Sequence, residues 1–374
     1  MVREISQDAL IVGAGVIGLA IARELHHRGL RKITVIDRGV VGREASFAAG
    51  GMLAVQAETD SAGNFFDLCR ASRDAYPEFA DALLEETGTD IELERTGTLY
   101  LAFTDSDSRE IDHRFEWQRA AGLKVDRVSG RETCRLEPFV SPDVRESLFF
   151  PDDWQVENRK LIAALERYAQ LNGIVVLGNS PCTRLIVKNG RVIGAETPNG
   201  KIYSKRTVLA AGAWTSLIAA DGIELPEIRP IRGQIFGFQT AKRLFNHVIY
   251  SPRGYIVPRS DGRIIAGATV EDVGFDNQVT SAGENYVTER AFEISPAIAG
   301  LQIAERTAGL RPKALDGMPV IGTFPHVENL YIASAHYRNG ILLAPLTAAL
   351  AADAIMTGAV PELLKTFGID RFAA

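Results

Sequence analysis

Cysteine is scarce in this chain. There are three in 374 residues, Cys69, Cys134 and Cys182, with no C-x-x-C pair among them. An odd, widely spaced set excludes a disulfide framework and a zinc site, so no metal is expected, and a reducing compartment is suggested. Positive charge is not in excess either: 41 Lys and Arg stand against 47 Asp and Glu, a formal net charge of -6. Without a basic cluster, that balance argues against nucleic acid or an anionic membrane as the main partner. Long apolar runs are missing. The best candidate, Ile341 to Met356, is too short to span a bilayer and contains Pro345 and Asp353, so it reads as a buried helix. The start is apolar after Arg3, but Glu4 and Asp8 stand where a signal peptide carries positive charge. A cytoplasmic protein is expected. Internal repeats and low-complexity linkers are absent, and the length suits two compact domains.

What is present begins with Ala9 to Asp37. An apolar run, Ala9-Leu10-Ile11-Val12, reads as a buried strand. Gly13-Ala14-Gly15-Val16-Ile17-Gly18 is a G-x-G-x-x-G pattern. A helix is expected from Leu19 to about Arg28, and Ile33 to Ile36 reads as a second strand ending at Asp37. In a dinucleotide fold an acid at that position binds a ribose hydroxyl. Gly13 permits the tight turn, Gly15 lets backbone approach a pyrophosphate, and Gly18 lets helix and strand pack closely. The free N–H groups at the helix start face the diphosphate. The pattern does not separate NAD from FAD. Arg38 then leads into a stretch rich in small residues, Val41 to Leu53, which suits backbone lying against a ring or phosphate; Ser46 could bind a diphosphate. A tight helix-packing segment would look the same.

Further on, Phe65 to Glu86 is helix-like, with a kink or break expected at Pro77. Ile91 to Phe103 suggests two short strands, Glu92 to Arg95 and Thr98 to Leu101. Arg109 to Ala121 reads as an amphipathic helix carrying a core Trp117. A helix from Arg159 to Leu171 has Asn158 as N-cap and Gly173 as C-cap. Hairpins follow at 184–195, turning at Asn189-Gly190, and at 254–269, turning at Ser260-Asp261-Gly262. Between them, a strand at Thr207 to Ala211 stops at Gly212-Ala213-Trp214-Thr215, and Ile228 to Phe238 opens a strand-rich region. Glu284 to Phe292 is helix-like. The expected fold is α/β: a Rossmann-like dinucleotide domain plus a β-sheet-rich α+β substrate domain. The expected division gives 1–88, 150–222 and 305–374 to the first, and 89–149 and 223–304 to the second.

A second informative stretch runs from Ala308 to Pro345. A strand at Leu330 to Ala333 leads through Ala335-His336-Tyr337-Arg338-Asn339-Gly340 to a helix starting near Ile341 or Leu342. A helix N-terminus there would stabilise negative charge on a ligand. Arg311 and Arg338 stand out, because an arginine fork holds a carboxylate in two parallel hydrogen bonds and so fixes an amino acid's Cα. Either could instead pair with an internal acid such as Asp316. His336 is a weak candidate for a base.

With these residues in hand, the chain resembles the FAD-dependent D-amino acid oxidase superfamily, and within it the glycine oxidases of the thiamine pathway. The motifs are ALIVGAGVIGLAIA, GREASFAAGGML, PIRGQIFGF, GYIVPRSDGRIIAGAT, AGLRPKALDGMPVIG and AHYRNGILLAP, which cover nearly the whole chain. The resemblance implies noncovalent FAD, since the covalent linkage of related sarcosine oxidases uses a late cysteine and none follows Cys182. It implies that Arg338 binds the substrate carboxylate, with Arg311 as a second pocket arginine and Tyr255 assisting. It implies FAD contacts from Gly13, Gly15, Val16, Ile17, Gly18, Asp37, Arg38, Ala45, Ser46, Gly50, Gly51 and Met52. The strand near Cys182 would meet the adenine, and His336, Tyr337, Arg338, Asn339, Gly340, Ile341 and Leu342 would wrap the flavin. Val270 stands where a glycine oxidase has a pocket methionine, which leaves glycine, sarcosine and small D-amino acids open as substrates. The implied reaction moves hydride from Cα to flavin N5, assigns no side chain a firm catalytic role, and uses molecular oxygen to give hydrogen peroxide. A sarcosine oxidase, and a D-amino acid dehydrogenase with another acceptor, are the alternatives. A homo-oligomer is expected.

Overall fold

The computed structural model describes residues 6–372; the expectation that rests on Arg3 and Glu4 lies outside them. Two large sheets organise the chain. The first has six strands in the order Val320–Thr323, Leu330–Ser334, Thr207–Leu209, Ala9–Val12, Ile33–Ile36 and Val175–Leu177. All neighbours run parallel except the first pair, which is antiparallel. The strands Ala9–Val12 and Ile33–Ile36 are buried at every position, as the continuous apolar runs require when both faces are covered.

The helices in chain order are α1 (Val16–His27), α2 (Val55–Glu58), α3 (Asn64–Asp74), α4 (Tyr76–Thr87), α5 (Asp105–Ala120), α6 (Gly130–Leu136), α7 (Asn158–Leu171), α8 (Ser281–Ile294) and α9 (Gly340–Thr357). Helices α1, α7 and α9 pack together, and α3 joins them on α9. Helix α1 begins three residues earlier than its sequence suggests, inside the glycine pattern, with Gly15 as N-cap. The break near Pro77 falls at Ala75, which closes α3 and opens α4, leaving the proline in the first turn where its missing N–H costs nothing. The segment 92–95 forms one isolated bridge, Glu94 with Gln155, rather than a strand. Asn158 is not the cap of α7. Glu157 caps it, and the Asn158 side chain is spent elsewhere.

Helix α9 is the one helix among the described residues long and apolar enough to cross a membrane, with a mean hydropathy of 1.7, and 61% of that window is buried inside the fold. Pro345 sits in its second turn. Proline has no N–H to give the carbonyl four residues back, Ile341. The Tyr76 hydroxyl of α4 donates to that carbonyl instead, and the Ser72 hydroxyl of α3 donates to the next one, Leu342, at 2.7 Å.

The second sheet has eight strands: Ile303–Ala314, Ile228–Gln239, Arg263–Gly267, Gly254–Pro258, Val248–Ser251, Thr98–Ala102, Glu146–Phe150 and Asp126–Ser129. Its pairs are antiparallel except Val248–Ser251 with Thr98–Ala102. Ile303–Ala314 pairs along its length with Ile228–Gln239. A division at 305 would part it from that partner. A parallel nucleotide-type sheet beside a mostly antiparallel one is the α/β architecture the patterning implied.

Candidate active site

Residues from both sheets line one cavity of about 370 Å³. At its nucleotide end lies the glycine turn. Gly13 has φ +112°, and a Cβ there would stand 2.2 Å from the Ala210 carbonyl oxygen. A Cβ on Gly18 would stand 1.9 Å from the Gly13 carbonyl. Neither position tolerates a side chain, so the turn and its close helix crossing depend on glycine. The Val16 N–H at the helix start donates to Ser46 Oγ at 3.1 Å, tying the small-residue loop to α1. Asp37 accepts from the N–H of Ala14 (2.7 Å) and of Gly39 (2.9 Å), and burial pushes its pKa up. Arg38 lies over the Trp214 ring at 4.5 Å and pairs with Glu44 at 3.1 Å.

The loop from 44 to 51 is pinned from behind. Asn158 Nδ2 donates to the carbonyls of Ser46 (2.8 Å) and Phe47 (3.1 Å), and Arg259 Nη2 donates to that of Gly50 (2.8 Å). That is where the Asn158 side chain goes, and it is why α7 takes its cap from Glu157.

At the other end the cavity meets Tyr255, Arg311, Arg338 and Glu58. The two arginines differ. Arg338 Nη2 donates to Glu58 Oε1 at 2.8 Å and to the Tyr250 hydroxyl at 3.0 Å. Arg311 has no carboxylate partner among the described residues. Its Nη1 donates to the Thr269 carbonyl at 3.0 Å, and burial pushes its pKa down. Its room comes from Gly233 on the neighbouring strand, where a Cβ would fall 2.1 Å from Arg311 Nη1. Asp316, the acid that might have paired with it, pairs with Arg371 at 2.7 Å. Both active-site arginines act electrostatically on Tyr255, which is 6% exposed and stacks on Tyr250 at 6.3 Å; Tyr250 stacks in turn on Tyr100 at 5.4 Å. A cavity with a glycine turn and a helix start at one end, and at the other a guanidinium lacking a counter-ion among the described residues, suits a dinucleotide beside a small anion.

A family model described as FAD dependent oxidoreductase matches residues 8–354. The chain belongs to this family. The glycine oxidase of Pseudomonas aeruginosa is 34% identical over 362 residues, which is 95% of this chain and 96% of that protein. The bifunctional protein ThiO/ThiG of Synechocystis is 36% identical over 374 residues, and there the chain spans 98% of itself but 54%, about half, of the relative. The crystal structure of glycine oxidase from Geobacillus kaustophilus superposes with a TM-score of 0.93 at 31% identity, covering 98% of this chain and 99% of that one.

FAD is thus the cofactor of this FAD-dependent oxidoreductase, and the cavity fits it. The glycine turn, the start of α1 and the loop of small residues all face the cavity: Gly13, Gly15, Val16, Ile17, Asp37, Arg38, Ala45, Ser46, Gly50, Gly51, Met52, Cys182, His336, Tyr337, Arg338, Gly340 and Ile341 are all in its wall. Gly18, Asn339 and Leu342 are not. Gly18 is spent on the helix crossing, Asn339 stands at the N-cap position of α9 without a side-chain capping bond, and the Leu342 carbonyl receives Ser72. Val270 is also outside the wall and is 58% exposed. Thr269 is buried, with its hydroxyl on the Gln234 N–H and its carbonyl on Arg311, so the next side chain along the extended backbone falls on the other side. His336 is buried, its Nε2 sits 3.1 Å from Thr347 Oγ1, and burial pushes its pKa down to about 3. An imidazole that weakly basic is unsuited to taking a proton. Burial pushes the Cys182 thiol up to about 12, away from the thiolate that covalent attachment needs.

Sequence reasoning missed Glu58, Tyr250, Asn158 as a loop pin and Arg259. Glu58, Tyr250 and Asn158 carry no local motif, and Arg259, though inside GYIVPRSDGRIIAGAT, was given no role. Gly212, Ala213 and Trp214, where the strand from Thr207 stops, also line the cavity.

Proposed function

We propose that this chain oxidises glycine, or a comparably small amino acid, at its CH–NH2 group. The imino acid formed hydrolyses to the oxo acid and ammonia, and molecular oxygen is reduced to hydrogen peroxide. FAD, when bound, supplies the two-electron acceptor that oxygen restores. The observation that carries the substrate assignment is Arg311, a guanidinium in the cavity wall with no acid partner among the described residues. A cation held away from water calls for an anionic partner, and a substrate carboxylate provides one in a planar, two-bond geometry.

Arg311 takes the carboxylate, and the Tyr255 hydroxyl, in the same wall, shares it. Arg338 is already neutralised by Glu58, so it orients the carboxylate through its remaining nitrogens rather than adding a second net charge. Together these groups fix Cα, which is what transfer from that carbon requires. His336 does not move a proton, and the amine is oxidised in its neutral form. The glycine oxidases among its relatives support glycine as the substrate, and the likeness to the ThiO/ThiG proteins supports a role for the product in thiamine thiazole synthesis. We further propose a cytoplasmic homo-oligomer, and a domain division in which Ile303–Ala314 travels with the second sheet.

Peroxide release against glycine, sarcosine and D-alanine, measured side by side, tests the reading. Arg311→Ala should raise KM for the preferred amine by about 100-fold or more, the loss of a charged bidentate contact, with FAD still bound. Arg338→Ala should cost less. Unchanged KM in Arg311→Ala would sink the carboxylate assignment.

A further inference from the structure

Helix α2 is four residues long and has no side-chain cap of its own, since its N-cap is Ala54. A helix that short does not hold itself together. Its free N–H groups are taken by a residue 97 positions away: Asp153 Oδ1 accepts from Gln56 N at 2.8 Å and Oδ2 from Ala57 N at 2.9 Å. Asp153 is 0% exposed. The far side of α2 is held by α5. Arg114 Nη1 donates to the Thr59 carbonyl at 2.9 Å, and Gln118 and Gln56 exchange side-chain hydrogen bonds, Gln56 Nε2 to Gln118 Oε1 at 2.8 Å and Gln118 Nε2 to the Gln56 carbonyl at 3.0 Å. The last residue of α2 is Glu58, which holds Arg338.

We propose that Asp153 is a positioning residue for substrate binding: by capping α2 it sets Glu58, and through Glu58 it sets the Arg338 guanidinium at the substrate end of the cavity. This rests on the reading that the substrate carboxylate binds between Arg311 and Arg338. An ionised carboxylate offers an acceptor to both N–H groups at once. An asparagine amide, or a protonated carboxyl, offers one good acceptor and sets a donor against the other N–H. The charged or titratable groups facing Asp153 are Arg73 and Cys69 of α3 and Glu58 of α2. Burial raises the Asp153 pKa to about 7 and pushes the Cys69 thiol up. Loss of the Asp153 charge therefore falls in a range where binding can be measured.

The test is the Kd of glycolate, a carboxylate of glycine's size with no amine to titrate, read on the FAD-loaded enzyme from the change in flavin absorbance. Asp153→Asn and Glu58→Gln should each weaken glycolate by about 10-fold. The double variant should be no weaker than either single one, and FAD content should be unchanged. The unmutated enzyme supplies a second measurement should Asp153→Asn fold poorly: its glycolate Kd should rise as pH falls from about 8 to 6. Wild-type affinity in Asp153→Asn, additive losses in the double variant, or a flat pH profile of the unmutated enzyme would overturn the positioning role. If Arg311→Ala also binds glycolate normally, it is the carboxylate site that is wrong rather than the positioning.

Discussion

Replacing Tyr76 by phenylalanine removes one oxygen, the donor that serves the Ile341 carbonyl where Pro345 cannot. Tyr76 is 0% exposed and Ile341 is 5% exposed, so water does not stand in. An unpaired buried carbonyl costs about 1–3 kcal/mol. Tyr76→Phe should therefore lower the unfolding free energy of the FAD-loaded enzyme by about 1–2 kcal/mol, once the relief of desolvating the lost hydroxyl is counted. The partner variant is Pro345→Ala, which gives α9 back an N–H four residues beyond Ile341. In that background the hydroxyl is redundant, and Tyr76→Phe should cost less than about 0.5 kcal/mol. Urea unfolding followed by circular dichroism on the four proteins of the cycle measures the coupling. An equal cost of Tyr76→Phe with and without Pro345 would refute the idea that the tyrosine replaces the missing helix bond.

Gly233→Ala should act like a mild form of Arg311→Ala. The new methyl displaces the guanidinium, so KM for glycine rises while FAD remains bound, as steady-state peroxide assays and the visible spectrum would show. Asp153 also predicts a pH trend in stability. Its pKa is raised from about 3.8 to about 7, so between those values the folded chain holds a proton the unfolded chain has released. Its contribution is full below about pH 3.8 and is lost as pH rises through about 7; Asp153→Asn should flatten that part of the stability profile in urea titrations. His336, held near 3, acts in the opposite direction as pH falls below its ordinary 6.5.

The nucleotide half was legible because its physics is local. Strand, glycines, helix, strand and acid occur within 29 consecutive residues, Ala9 to Asp37, and contacts such as Gly18 on Gly13 and Ala14 on Asp37 lie inside that run; Ser46 and Ala210, which also meet the turn, lie outside it. The helix start was misplaced by three residues because glycine suggests a break, whereas here it only permits close approach. The substrate end was legible by residue type but not by partner. Nothing near Arg338 in sequence announces Glu58, 280 positions earlier, and nothing near Gln56 announces Asp153. The two arginines look equivalent in the sequence, and only their neighbours separate them: one has an acid, and the other has the hollow left by Gly233. Val270 was placed at the pocket only by resemblance to a glycine oxidase, and sequence position alone does not show that its side chain is exposed and outside the wall.

The cavity takes its wall from two separate sheets, with Gly13 and Asp37 on one side and Tyr255 and Arg311 on the other. The bound cofactor is therefore a strut between them as well as a reagent. Its free concentration enters the folding equilibrium directly, so each tenfold excess over its dissociation constant adds about 1.4 kcal/mol to the loaded form. Cells short of riboflavin should accumulate less of this protein, not merely less of its activity. Stripping the yellow colour should open the seam between the sheets to proteases before either sheet melts.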